Sequence, residues 1–157
     1  MRRSTEMRIV CDDLTHPDVI ALLDLHLRSA FENSPPGAVF ALDLSGLRHP
    51  AVTLWSAWEG SDLLGLGALK ELDAEHGELK SMRTAPEHLR RGVAAAMLDH
   101  LVAEGRARGY SRLSLETGSN EPFAPARALY ERAGFEPCGP FADYTDQAFS
   151  RYYSLEL

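Results

Sequence analysis

Residues 86–97 read PEHLRRGVAAAM, two adjacent arginines and a glycine set directly before a run of small residues. The small residues open the clearest helix in the chain, GVAAAMLDHLVAEGRARGY (92–110). In it Ala94, Met97, Leu98, Leu101, Val102 and Gly105 recur at helical spacing, and RGY closes it. The first turn of a helix carries unpaired N–H groups and the positive end of the dipole, which together favour an anion such as phosphate. Gly92 has no Cβ, so a phosphate can approach the backbone there, and Val93 to Ala96 leave that approach clear. Arg90 and Arg91 add positive charge beside the same place. The stretch reads as a phosphate loop built mainly from backbone.

Working outward, the loop is preceded by a strand meander. AVTLWSAWEG (51–60) and DLLGLGALKELD (62–73) form a hairpin turning at Gly60 to Asp62, and HGELKSMRT (76–84) is its third strand. After the helix, SRLSLET (111–117) alternates as a strand. APARALYERAGF (124–135) is a further helix, with Gly134 where a left-handed cap is expected. RYYSLEL (151–157) closes the chain as a strand. Towards the start, MRIVCDD (7–13) is a short strand and residues 18–31 a helix with Thr15 or Asp18 near its cap. NSPPG (33–37) stops that helix, and AVFALDLSGL (38–47) is a second helical candidate. Trp55 and Trp58, three apart in one strand, face opposite sides of it, one in the core and the other lining an acceptor pocket or a partner face.

A helix between two strands implies a parallel crossover, whereas the meander is antiparallel, so the sheet is mixed. The class is α/β or α+β: a central mixed, mostly antiparallel sheet with helices on both faces. The 157 residues, without repeat or linker, fit a single domain over 1–157.

With 23 acidic against 16 basic residues the formal charge is −7, which argues against nucleic acid or anionic membrane as partner. Cys11 and Cys138 lie far apart and form no CxxC pair, which suits reduced thiols; Cys138 reads as a packing residue. The basic start MRRSTEMRIV has no apolar stretch after it, so no signal peptide is expected, and the reading is cytoplasmic. The six histidines show no ligand spacing, so no metal is expected. Neither GxxxxGK[ST] nor a GxGxxG following a strand occurs, which removes two familiar nucleotide loops.

The order of ELKSMRT (78–84), a proline-containing loop, RRGVA (90–94), a long helix, a strand and LYERAGF (129–135) resembles the GNAT superfamily of acetyl-CoA-dependent N-acyltransferases. The resemblance covers residues 50–136 well. Its phosphate-loop pattern, [Q/R]-x-x-G-x-[G/A], falls on Leu89, Arg90, Arg91, Gly92, Val93 and Ala94, with Leu89 departing from the usual first residue. The resemblance implies a V-shaped splay between the fourth and fifth strands, into which the thioester arm slides. It places the pyrophosphate on Arg90 to Ala95, and the pantetheine arm on the backbone of Met82, Arg83 and Thr84. Asn120 and the EPFAPARALY helix (121–130) would flank the arm's distal side. Tyr130 is the implied general acid for the leaving thiolate. Glu116, at the far side of the V, is the candidate base, with Glu78 and Glu71 as alternatives. Acetyl-CoA is then a cosubstrate, and the acceptor a small-molecule amine or a protein amine. A non-catalytic acyl-CoA-binding or sensing domain is the competing reading. A homodimer is expected by family analogy and from the aromatic last strand, FSRYYSLEL (149–157).

Overall fold

The computed structural model describes residues 7–157; MRRSTE, on which the reading of the basic start rests, lies outside them. Seven strands form one sheet in the order β1-β2-β3-β4-β5-β7-β6. They are β1 (Arg8–Cys11), β2 (Val52–Glu59), β3 (Asp62–Asp73), β4 (His76–Thr84), β5 (Arg112–Gly118), β6 (Glu136–Cys138) and β7 (Ser150–Glu156). Every neighbouring pair is antiparallel except β4 and β5, the parallel pair that the crossover helix requires.

The helices are α1 (Pro17–Asn33), α2 (Leu44–Leu47), α3 (Val93–Ala107) and α4 (Ala124–Arg132). One face of the sheet packs on α1 and α2 through Val19, Leu22, Leu23, Leu47, Leu54 and Leu66. The other packs on α3 and α4 through Val93, Met97, Leu98, Leu101 and Tyr130 against Leu64, Leu69 and Leu113. Gly67 marks how close α3 sits: a Cβ there would lie 2.6 Å from Met97 Cγ. Trp55 belongs to the α3 side and Trp58 to the α1 side, as the spacing requires. Both are buried, and neither lines the cavity between β4 and β5.

Four local readings change. The α1 cap is His16, whose Nδ1 accepts from the Asp18 N–H at 3.0 Å, while the Thr15 hydroxyl is taken by Asp13. Of residues 38–47 only Leu44–Leu47 is helical. The Phe40 carbonyl accepts from Lys80 instead, which removes it from any helical ladder. Glu136–Cys138 adds an edge strand that its proline hides in the sequence, since proline is tolerated only at an edge. Cys138 is exposed on that edge and does not pack. At the end of α4, Gly134 takes the left-handed conformation expected of it (φ +97°).

Candidate active site

The site begins where two neighbouring strands part. β4 and β5 pair at His76 with Arg112, Gly77 with Leu113 and Glu78 with Ser114, and no further. The divergence has a local cause in β4. Arg83 pairs with Leu66 of β3 and Lys80 with Ala68, so Ser81 and Met82 together stand opposite Gly67. This is a β-bulge, and Ser81 adopts φ +54° to make it. A bulged strand bends, and the edge of β4 beyond Glu78 therefore has no strand partner on the β5 side. Meanwhile β5 keeps its pairing with β7 along its whole length.

A cavity of about 140 Å³ fills the V. Its walls are Leu79 to Met82 of β4, Leu115 to Gly118 of β5, Ala126 and Tyr130 of α4, and His26 and Ala30 of α1 with residues 38–41 beyond it. Tyr130 is 7% exposed and stacks edge-on with Phe135 at 5.9 Å. Burial, and then the negative charge of Glu116, hold its phenol well above the ordinary value, so it stays protonated. Glu116 faces it from β5. Burial raises the Glu116 carboxyl above the ordinary range, against a hydrogen bond from the Ser150 hydroxyl (2.8 Å) and the charge of Lys80. Glu78 pushes it further up.

Beside the cavity, Lys80 Nζ lies 3.2 Å from Glu78 Oε2 and donates to Tyr144 Oη (2.8 Å) and the Phe40 carbonyl (3.0 Å). Tyr144 in turn donates to Glu78. Lys80 thus carries two hydrogen bonds and an ion pair. The sequence reading missed this lysine, His26 and Ser81. Only Lys80, a charge between Leu79 and Ser81 in a core strand, left a signal of its own.

In the connection from β4 to α3, Arg90 (φ +63°) and Gly92 (φ +80°) both take left-handed backbone just before the helix. Gly92 is the N-cap of α3, with no side chain capping the helix. The first-turn N–H groups are therefore free for a ligand, and a Cβ on Gly92 would meet nothing within 4 Å. A Cβ would find space but not an easy φ, so the glycine is held here by backbone conformation. Alternating left-handed residues ahead of a helix gather N–H groups into an anion-binding hollow. The donor set and the open approach fit a phosphate group. Arg91 is engaged elsewhere, with Glu59 at 2.9 Å and His88 Nδ1 at 2.6 Å. Arg90 is exposed and has no ionic partner among the described residues, and Leu89 is 59% exposed.

The structure therefore brings Met82, Tyr130 and Glu116 into one cavity, with Arg83 and Thr84 next along β4 and residues 89–95 in the connection from β4 into α3. Glu78 sits beside it in the Lys80 cluster. Glu71 is bound instead by the Tyr110 hydroxyl at 2.9 Å. Asn120 is exposed and spends its amide on the Asn33 carbonyl at 2.8 Å, tying the β5–α4 loop to the end of α1. Among the described residues no group of three or more His, Cys, Asp or Glu side chains is placed to hold a metal ion. No helix among them is long and apolar enough to cross a membrane.

The model of the acetyltransferase (GNAT) family matches residues 19–135. The uncharacterized N-acetyltransferase YsnE of Bacillus subtilis (strain 168) is 54% identical, over 96% of this chain and 100% of that one. A structure from Klebsiella pneumoniae, named as an acyl-CoA N-acyltransferase, superposes with TM-score 0.80 at 26% identity, over 98% and 99% of the two chains. A Bacillus subtilis acetyltransferase solved in complex with CoA has the same fold, with TM-score 0.73 at 16% identity over 97% and 99%.

Proposed function

The chain belongs to the acetyltransferase (GNAT) family, and from that premise we propose that it is a one-domain enzyme that moves an acetyl group from acetyl-CoA directly to a primary amine. One observation carries the reading: the half-buried Glu116 carboxylate and the buried Tyr130 phenol line the same cavity in the splayed V. The uncapped α3 terminus, which follows directly on β4, supports placing the pyrophosphate on Arg90 to Ala95, with the Leu89 side chain outside the contact. The free edge of β4 supports placing the pantetheine arm on the backbone of Met82, Arg83 and Thr84. Asn120 contributes by fixing the loop beside the arm.

When bound, acetyl-CoA supplies the activated acyl thioester. The protein's part is protons and charge. An alkylammonium with pKa about 10.4 is neutral in roughly one molecule in 2,500 at pH 7, a cost of about 4.6 kcal/mol. Glu116, with its affinity for protons raised by burial, is the base that takes the amine's proton. The Met82 N–H stabilises the charge developing on the acyl oxygen. Tyr130 stays protonated and donates its hydrogen to the departing sulfur. The acceptor is a small-molecule or protein amine. Screening amines by release of free thiol from acetyl-CoA, with mass spectrometry of the product, tests the proposal. An N-acetyl product is expected; thioester hydrolysis without transfer to any amine contradicts it.

A further inference from the structure

Two buried polar atoms beside the cavity have no partner among the described residues: His26 Nδ1 and Ser81 Oγ. Both residues line the V, His26 from α1 and Ser81 from the bulge of β4. Buried polar groups in native proteins are paired as a rule, so two orphans on one cavity mark the place of a polar ligand group. Next to them stands an unpaired cation. Arg83 is half-buried, has no carboxylate within 4.0 Å among the described residues, and donates none of its guanidinium hydrogen bonds to them.

The face that Arg83 occupies follows from the register. It pairs with Leu66, and Leu66 packs in the α1 cluster. Its successor Thr84 pairs with Gly65, whose Cβ position abuts Val93 of α3. The Arg83 side chain therefore lies on the α1 side, with His26. Burial and then the Arg83 charge press the His26 pKa down to about 4, so its ring is neutral at pH 7 and can donate or accept. Burial alone lowers the Arg83 value; no nearby carboxylate opposes it.

Lys80 is already paired with Glu78 and donates to Tyr144 and the Phe40 carbonyl, whereas Arg83 has no such partner among the described residues. Glu116, across the cavity, suits an ammonium or amine. We propose that Arg83, His26 and Ser81 form an anion subsite, so that the amine acetylated here carries a carboxylate of its own, as an amino acid does. This deepens the acetyltransferase reading and rests on it. A guanidinium fork matches a carboxylate with paired hydrogen bonds, and a cavity of this size suits a compact zwitterion better than a polycation.

The test uses the proteinogenic L-amino acids and their α-carboxamides as acceptors, with thiol release from acetyl-CoA as readout. A charge-assisted bond is worth about 10- to 100-fold, so kcat/KM for the best amino acid should exceed that of its amide by this factor. Arg83→Gln should bring the ratio near one, and Ser81→Ala, which leaves the charge in place, should lower it less. If Arg83→Gln fails to fold, the wild-type ratio and Ser81→Ala still decide. Amides used as well as the acids, an Arg83→Gln enzyme with an unchanged ratio, or turnover confined to amines without a carboxylate overturns the subsite. So does failure of every amino acid both to turn over and to raise the melting temperature of the CoA-bound protein. If acetyl-CoA stabilises the wild-type protein while these outcomes hold, only the subsite falls; if it does not, the acetyltransferase reading falls with it.

Discussion

Ser150 donates its hydroxyl to Glu116 Oε2 at 2.8 Å, joining β7 to β5 at the wall of the V. The bond favours the ionised carboxylate, against the burial that raises the Glu116 pKa. Removing it with Ser150→Ala should raise that pKa further. A base must be deprotonated to act, so the acidic limb of the kcat/KM profile should move to higher pH in the variant. Glu116→Gln should abolish the limb and cost about 10²- to 10⁴-fold in rate. An acidic limb unchanged in Glu116→Gln would assign the base elsewhere.

His26 gives a stability signature. Its folded pKa is lowered from 6.5 to about 4, chiefly by burial. The unfolded chain therefore takes up the proton more readily than the folded one. The corresponding stability is full above pH 6.5 and is lost as pH falls towards 4, a loss of about 3 kcal/mol in all. Urea melts from pH 7 to 4 should show this decline, and His26→Gln should flatten that part of it. Equal slopes in both proteins would contradict the buried, neutral ring.

Much of this arrangement was legible in the chain because it rests on local rules. The helical spacing after Gly92, the alternation in 111–117 and Gly134 at the end of α4 each act over a few residues. The parallel β4–β5 pair followed from the helix between them. What escaped depends on contacts distant in sequence. Lys80 reaches Phe40 and Tyr144, and no local pattern announces either bond. His26 looks like one more surface histidine until β4 brings Arg83 beside it. Residues 38–43 had helix-compatible composition, but a tertiary hydrogen bond to the Phe40 carbonyl outweighed propensity. The two alternatives to Glu116 separate in the same way: Glu71 is claimed by Tyr110, and Glu78 by Lys80 and Tyr144.

Tyr130 is tested by two substitutions. Its phenol is held above the ordinary value of 10, whereas a thiolate leaving group has a pKa near 8.5. Full proton transfer is therefore uphill, and its benefit should lie near the low end of general acid catalysis. Tyr130→Phe should lower kcat by about 10²-fold with little change in melting temperature or in KM for acetyl-CoA. Tyr130→Ala, which also empties a site 7% exposed, should cost about 3 kcal/mol or more of stability. A Phe variant with full kcat would leave solvent as the proton source.

The central claim is that the uncapped N-terminus of α3 at Gly92 holds the pyrophosphate of acetyl-CoA. It is tested most directly by the melting temperature of the protein with and without acetyl-CoA, in the wild type and in Gly92→Glu. Gly92 stands at φ +80° with nothing within 4 Å of a Cβ, so a glutamate there places bulk and negative charge in the anion's space. At 100 times its dissociation constant a ligand stabilises by about 2.7 kcal/mol. For a chain of this size that raises the melting temperature by roughly 5–10 °C. The account predicts that rise for the wild type and none for Gly92→Glu; an equal rise in both proteins, or none in the wild type at millimolar acetyl-CoA, would contradict it.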